Sequence, residues 1–269
     1  MPADHTLRVD SNDPIGASWF LLTLSSDVDL PRWEPGQFTM LSLGDRQDPL
    51  LRRPFSIYNL PEAERPARAV QILYKILGRG TALLSRVPPG ASLAALLPLG
   101  RGFRPARQPG DRIVLVAGGV GVASLHPLAA FEAREGRPPL LLFGCRSADE
   151  MPGARATRAL GVETLISTDD GSEGARGLVS DLLDAVLRER GAAGKILCVC
   201  GPTPMMSASA DVARRHGARC HLSLESSMAC GFGVCVGCVV GVRRGGSPAI
   251  TYRRTCIDGP VMDASEIVW

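Results

Sequence analysis

The sequence predicts a multidomain β and α/β chain: antiparallel β structure first, a doubly wound parallel sheet next, and a small cysteine-rich segment last. Three observations predict it. In the first hundred or so residues the apolar stretches are short, and turn signals separate them. From Ile113 onward apolar runs alternate with helical stretches. At the end, four of the eight cysteines fall between Cys230 and Cys256.

The β stretches are Trp19–Leu24, Gln37–Leu43, Phe55–Leu60 and Ala69–Leu77, divided by turns such as Glu34-Pro35-Gly36 and Pro88-Pro89-Gly90. Short strands at this spacing predict an antiparallel sandwich or barrel. One helical piece, Thr81–Val87, interrupts them, with Thr81 as its expected N-cap. The polar run Arg104–Asp111, R-P-A-R-Q-P-G-D, reads as a linker. Ile113–Ala117 is then a continuous apolar run, as in a parallel strand buried on both faces. A helix follows to Arg134. Leu140–Phe143, Val162–Ser167 and Ile196–Cys200 are the next strands, with a helix at Leu178–Arg190 and a further short strand at Leu222–Leu224. These divisions set three units, residues 1–107, 108–218 and 219–269.

Composition excludes several classes. A net charge of +3 over 269 residues is too small to argue for nucleic acid. No apolar run reaches the ~18 residues of a membrane-spanning helix. Met1–Asp10 is polar and lacks the apolar stretch of a signal peptide, so a reducing cytoplasm is expected and disulfides are not. Cys145, Cys198, Cys200 and Cys220 lie in or beside apolar runs and read as buried thiols.

The other four cysteines carry the strongest signal. Met228–Cys238 reads M-A-C-G-F-G-V-C-V-G-C, and C-I-D-G-P follows a polar, hairpin-like passage. Cys230, Cys235, Cys238 and Cys256 thus form C-x4-C-x2-C with a distant fourth cysteine, the plant-type spacing for a [2Fe–2S] cluster. Gly231, Gly233 and Gly237 stand between the ligands, where a missing Cβ lets the backbone close around a cluster and aim N–H groups at sulfur. Structural zinc competes, because Cys235–Cys238 is a C-x2-C pair; ordinary four-cysteine zinc sites have a second such pair, and here an x4 gap replaces it.

Weaker motifs point to phosphates. Gly118-Gly119-x-Gly121 ends a strand and opens a helix, where backbone N–H groups can meet a phosphate. It lacks the third glycine of the dinucleotide fingerprint and an acidic residue after the second strand. By itself it reads equally as a tight strand-to-helix turn. Cys200-Gly201-Pro202 and Thr168-Asp169-Asp170-Gly171-Ser172 also follow strands, so three unusual loops share the sheet edge where such folds bind ligands. In the β region, Arg52-Arg53-Pro54-Phe55-Ser56 puts an arginine that could fork onto a pyrophosphate at the head of a strand; a surface arginine pair is the alternative. Leu73-Tyr74-Lys75 with Gly78-Arg79-Gly80-Thr81 forms a second candidate anion site.

Together and in this order, these motifs resemble the ferredoxin-reductase-like flavoproteins. R-P-F-S (Arg53–Ser56) resembles their flavin-binding R-x-Y-S motif, with Phe55 at the aromatic position. Pro35–Phe38 resembles the strand before it, Gly78–Thr81 the pyrophosphate-binding step, and Cys200-Gly201-Pro202 the nicotinamide-facing loop. R-R-P-F-S-I, T-D-D-G-S, L-E-S-S-M-A-C-G-F-G-V-C-V-G-C and C-I-D-G-P-V resemble the electron-transfer subunits of NAD-linked, two-subunit dihydroorotate dehydrogenases, across essentially the whole chain. The resemblance implies an FAD-binding β-barrel, an NAD-binding α/β domain and a [2Fe–2S] subdomain. FAD would be held by Arg53, Pro54, Phe55, Ser56, Leu73, Tyr74, Lys75, Gly80 and Thr81. NAD would dock over Gly118, Gly119, Gly121, Asp169, Cys200 and Gly201. No residue is expected to act as a catalytic acid or base. Electrons would flow from an FMN-containing catalytic subunit through the cluster and FAD to NAD+, in pyrimidine biosynthesis. The implied assembly is a cytoplasmic heterotetramer, two copies of each subunit, engaging neither nucleic acid nor membrane. Close relatives carry the same modules as diaphorase subunits linked to hydrogenase or ferredoxin–NADP reductase. A zinc-stapled, non-redox binding module is the competing reading of another class.

Overall fold

The computed structural model describes residues 2–43, 50–61, 66–243, 245 and 249–269. Six strands build the first sheet: β1 (Ala3–Pro14), β2 (Trp19–Leu30), β3 (Phe38–Leu41), β4 (Arg53–Ser56), β5 (Ala67–Lys75) and, after helix α1 (Arg79–Leu84), β6 (Ser92–Leu99). Their order is β4-β3-β6-β1-β2-β5, and every pair is antiparallel. β6 shows the alternation that such a sheet needs, with Leu93, Ala95, Leu97 and Leu99 buried and the residues between them less so. The sheet curls until its edges meet: Phe55 on β4 stands edge-on to Tyr74 on β5, ring centres 6.0 Å apart.

Three local expectations change here. The strand expected at Phe55–Leu60 spans Arg53–Ser56 instead. Beyond Ser56 the chain crosses towards β5: Tyr58 N–H donates to the Gln71 carbonyl (2.8 Å), and Gln71 N–H donates to Asn59 Oδ1 (2.8 Å). Thr81 is not the N-cap of α1. Gly78 is, and the helix begins at Arg79; the Thr81 hydroxyl reaches back to accept from the N–H groups of Leu77 (2.9 Å) and Gly78 (3.2 Å). β1 falls in a stretch that reads as merely polar. Its Leu7 and Val9 point into the core between outward polar residues, too few apolar positions to mark a strand.

The second sheet is β7 (Arg112–Gly118), β8 (Leu140–Cys145), β9 (Glu163–Thr168), β10 (Ala175–Arg176), β11 (Lys195–Cys200) and β12 (Arg219–Ser223), all parallel. Helices α2 (Val122–Arg134), α3 (Pro152–Arg158), α4 (Val179–Arg190) and α5 (Thr203–His216) connect the strands. Side chains of α2 and α3 pack on one face together with Trp19, Tyr58, Leu73 and Phe103, so the two sheets share a core. Those of α4 and α5 cover the other face. Helices on both faces of a parallel sheet account for strands apolar on both sides. In the linker, Arg107 forks onto the buried Glu132 of α2 (2.8 and 2.6 Å).

After β12 the chain leaves the sheet for the cysteine loop, returns through the hairpin β13 (Val239–Val242) and β14 (Thr251–Arg254), and ends with β15 (Val261–Asp263). β15 pairs antiparallel with β12 at the sheet edge. The seven-stranded order is β10-β9-β8-β7-β11-β12-β15. The cysteine segment is therefore an excursion whose two ends are anchored in the α/β sheet. Part of the hairpin tip, Arg244 and residues 246–248, lies outside the described residues. No helix among the described residues is long and apolar enough to cross a membrane.

Candidate functional site

A cavity of about 530 Å³ opens where the curled sheet, the parallel sheet and the lead-in to the cysteine loop meet. The curled sheet supplies Pro54, Phe55, Ser56, Leu73, Tyr74 and Lys75, and α1 supplies Thr81. These were all expected at the site. Tyr74 is fixed on three sides. Phe20 stacks on it at 5.5 Å, Phe55 stands edge-on, and its hydroxyl donates to Asn12 Oδ1 (2.9 Å). Burial pushes the Tyr74 phenol up to about 12, so it is a neutral hydroxyl. The Lys75 ammonium is less free than the sequence suggests: it pairs with Glu150 of the α/β part at 2.8 Å, bridging the two sheets.

Arg53 and Gly80 sit beside the cavity rather than in its lining. A β-carbon on Gly80 would come within 3.2 Å of Arg53 Nε, so the guanidinium lies directly against the start of α1. Arg53 Nη1 donates to the Leu51 carbonyl at 2.7 Å. Among the described residues no carboxylate pairs with it, whereas neighbouring Arg52 forks onto Asp4 (2.9 and 2.7 Å). Arg53 thus keeps most of its donors and its charge for something else.

At the parallel sheet, the glycines divide into two kinds. A β-carbon on Gly118 would come within 2.4 Å of Met205 Sδ, and one on Gly121 within 2.3 Å of the Cys200 carbonyl oxygen. A β-carbon on Gly201 would come within 3.0 Å of the Gly118 α-carbon. These three let the loops after β7 and β11 touch backbone to backbone. Gly119 differs: at φ +50° it has open space where a side chain would be, and its neighbours Val120 and Ala123 line the cavity. Cys200 also lines it. Burial raises its thiol to about 12, beside the hydrogen-bonded pair Ser124 and Ser223 (2.9 Å). Asp169 lies on the same edge but not in the cavity lining. Its neighbour Asp170 shapes the loop, accepting from Ser172 Oγ (2.6 Å) and N–H (2.9 Å), which holds its carboxyl below the usual range. Asp169 is left exposed.

The cysteine loop packs on β3 and β6. Cys238 and Cys256 are buried with Phe38, Met40 and Leu99, while Cys235 is exposed and Cys230 half-buried. Cys235 N–H points at Cys230 Sγ and Gly237 N–H at Cys235 Sγ, both at 3.5 Å. Burial would raise the Cys230 thiol, but backbone N–H groups of Cys235, Phe232 and Val234 outweigh it and hold the group at about 6. Gly233 is at φ +92°, and a β-carbon there would meet Ile257 Cδ1 at 2.1 Å. Arg254 ties the loop down, donating to the Gly233 carbonyl (2.9 Å), and Thr255 N–H donates to the Cys238 carbonyl (2.9 Å). Among the described residues no three His, Cys, Asp or Glu side chains gather around a single-ion position; a two-iron cluster instead divides four thiolates between two metals.

Phe38, Val120, Ala123, Thr203, Pro260 and the run Ser223–Met228 line the cavity without having been expected as site residues, although Phe38, Pro260 and Leu224–Met228 fall within the resembling motifs. A usable signal existed for the last: a segment running from the C-terminal end of β12 to the first cysteine must cross the ligand-binding edge of the sheet.

Residues 225–268 match the family model described as the iron–sulfur cluster binding domain of dihydroorotate dehydrogenase B. The chain is 36% identical over 263 residues, 97% of each chain, to the dihydroorotate dehydrogenase B (NAD(+)) electron transfer subunit of Bacillus velezensis. It is 34% identical over 269 residues, all of both chains, to the homologue of that subunit in Aquifex aeolicus. Among solved structures it resembles a chain of an NADH-dependent reduced ferredoxin–NADP oxidoreductase, with TM-score 0.81 and 26% identity over 98% of this chain and 90% of that one. The ferredoxin reductase of carbazole 1,9a-dioxygenase shares the fold at TM-score 0.70 over 82% of this chain and 69% of that one.

Proposed function

The chain belongs to the electron transfer subunits of NAD(+)-linked dihydroorotate dehydrogenase B, and on that premise we propose that it relays electrons from a catalytic partner to NAD+ through a [2Fe–2S] cluster and FAD. The observation that carries the proposal is the meeting of three sequence-distant segments around one cavity, with the cysteine loop packed on its wall.

The residues fit these groups. Arg53, with its unused donors, and the backbone of Gly80 and Thr81 beside it would hold the flavin pyrophosphate. Pro54, Phe55, Ser56, Leu73, Tyr74 and Lys75 would hold and orient the rest of FAD. Gly118, Gly119, Gly121, Asp169, Cys200 and Gly201 would form the NAD edge, with Gly119 giving the open approach. Cys230, Cys235, Cys238 and Cys256 would ligate the cluster, with loop N–H groups aimed at sulfur. Bound FAD supplies the exchange between two-electron hydride chemistry at nicotinamide and one-electron chemistry at iron–sulfur. The protein binds, orients and excludes water, and burial holds the Cys200 thiol and the Tyr74 phenol neutral.

The partner would be the FMN-containing catalytic subunit, in a cytoplasmic assembly with two copies of each chain. Exposed apolar side chains on the cysteine loop support a docking face there: Phe232 is 52% exposed, Val234 73% and Val236 55%. The three units assigned in sequence, residues 1–107, 108–218 and 219–269, would correspond to flavin, nucleotide and cluster binding.

The test is anaerobic purification with metal and flavin analysis. About two irons and two acid-labile sulfides per chain are expected, with FAD and not FMN released on denaturation. Serine at any of the four cysteines should bleach or destabilise the cluster, and Cys198→Ala should not. Zinc in place of iron would contradict the proposal.

A further inference from the structure

The cavity and the cysteine loop share a wall. Phe38 and Met228 line the cavity, and the same two side chains pack with Met40, Leu99, Cys238 and Cys256. Phe38 is held from several sides. It lies in β3 opposite Ser56 on β4 and Leu99 on β6, and a β-carbon on Gly100 would come within 2.9 Å of its ring. Met40, two residues further along β3, falls on the same face. It is fully buried, and a β-carbon on Gly231 would come within 2.4 Å of its Cγ and 2.8 Å of its Sδ. The loop therefore rests directly on Met40 at the residue after Cys230, with no room to move inward.

We propose that Phe38 and Met228 form the barrier that electrons cross between the cavity and the cysteine loop, and that Met40, seated under Gly231, sets its thickness. The proposal rests on the FAD and [2Fe–2S] reading above. With both groups bound, each crossing would move one electron, taking one iron of the cluster from Fe2+ to Fe3+ and reducing the flavin by the same electron. Two crossings and one proton from solvent furnish the hydride that NAD+ accepts. The partner's substrate is the reductant and NAD+ the oxidant. Electron tunnelling falls steeply with the width of the gap, and each of these two side chains touches both sides of it. All three are positioning residues: they carry no electron and donate no proton.

The experiment uses the chain loaded with both cofactors and runs the transfer from the NADH end. NADH is mixed anaerobically, flavin bleaching is followed by absorbance, and cluster reduction by freeze-quench paramagnetic resonance. Met228→Ala, which empties part of the gap, is expected to slow flavin-to-cluster transfer on the order of tenfold, and Met40→Ala, which lets the loop settle inward at Gly231, to speed it. The iron content and the line shape of the resonance signal should not change. Met228→Leu, which conserves volume, should restore the wild-type rate. Phe38→Ala should act in the same direction as Met228→Ala where flavin is retained. Unchanged transfer in Met228→Ala and Met40→Ala overturns the proposal. So does slowing accompanied by lost iron and not restored by Met228→Leu, which would mark a structural role. A wild-type chain without flavin or iron would overturn the underlying reading instead, and is seen before any variant is made.

Discussion

Arg53 shows how one residue can be readable in kind but not in circumstance. Its neighbour in sequence is an arginine too, and only the fold pairs Arg52 with Asp4 and leaves Arg53 against α1. A hydrogen bond to a charged group contributes about 1.5–3 kcal/mol, so Arg53→Ala should weaken flavin binding about ten- to hundredfold. Flavin titration of the stripped protein measures this, and the iron content should stay unchanged. Equal affinity in the variant would remove Arg53 from the site. His126 gives a prediction of a different sort. Its ring stacks on Tyr58 at 4.2 Å, its Nδ1 lies 2.8 Å from Thr157 Oγ1, and burial lowers its pKa from 6.5 to about 4. Between those values the unfolded chain takes up the proton and the folded chain resists it. The stabilisation is therefore complete above pH 6.5 and is lost as pH falls to 4, by about 3 kcal/mol over the window. Urea unfolding across that range should show a shallower acid loss in His126→Phe than in the wild type. Parallel curves would contradict the assignment.

At the scale of elements, the cysteine loop depends on what lies beneath and beside it. Gly233 is at φ +92° and faces Ile257, so Gly233→Ala combines a backbone strain with a steric clash. The strain alone costs on the order of 1–3 kcal/mol. The variant should lose iron on gel filtration and unfold at a lower temperature, and trimming Ile257 to alanine should recover only part of the loss. Full recovery would show that the clash, not the backbone, sets the requirement. Helix α1 teaches a related point. A Gly-x-Gly-Thr step looks like a helix whose first cap is threonine, yet the hydroxyl serves from the third helical position and the helix starts two residues earlier. Local residue types do not distinguish these two uses; the position of Arg53 against Gly80 does.

For the whole molecule, the exposed face around Phe232 is the expected meeting point with the partner. Phe232→Asp should abolish dihydroorotate–NAD+ activity of the reconstituted complex while sparing NADH-driven dye reduction by the chain alone. Dihydroorotate oxidation by the isolated chain would sink the electron-transfer reading, and so would an unimpaired complex with aspartate at that position. The layout behind this prediction was only partly legible. The change from separated short strands to alternating strands and helices marked both sheets, and most strands lie within a few residues of where apolar runs put them. β1 escaped because its outward face is polar and only Leu7 and Val9 mark its inner one. Leu224–Met228 entered the reading only as part of a resembling motif, and the place of Ser223–Met228 on the cavity wall escaped because serines and a glutamate before a cysteine motif carry no periodicity.

The sequence by itself determined the chemistry that depends on spacing and side-chain type. Four cysteines at x4 and x2 intervals point to a cluster loop, an arginine-proline-phenylalanine-serine strand points to a flavin through its resemblance to a known motif, and three unusual loops after apolar runs point to a ligand-binding sheet edge. Tertiary structure alone decided which of these groups meet. It brought residues from Phe38 to Pro260 around one cavity, tied Lys75 to Glu150, used Gly118, Gly121 and Gly201 for backbone packing, and left Gly119 open. It also set the cysteine loop on Met40, so that Phe38 and Met228 face the cavity on one side and Cys238 and Cys256 on the other. The reason is physical: spacing along a chain fixes which groups a short loop can gather, whereas contacts between segments far apart in sequence follow from how two sheets bury a common core.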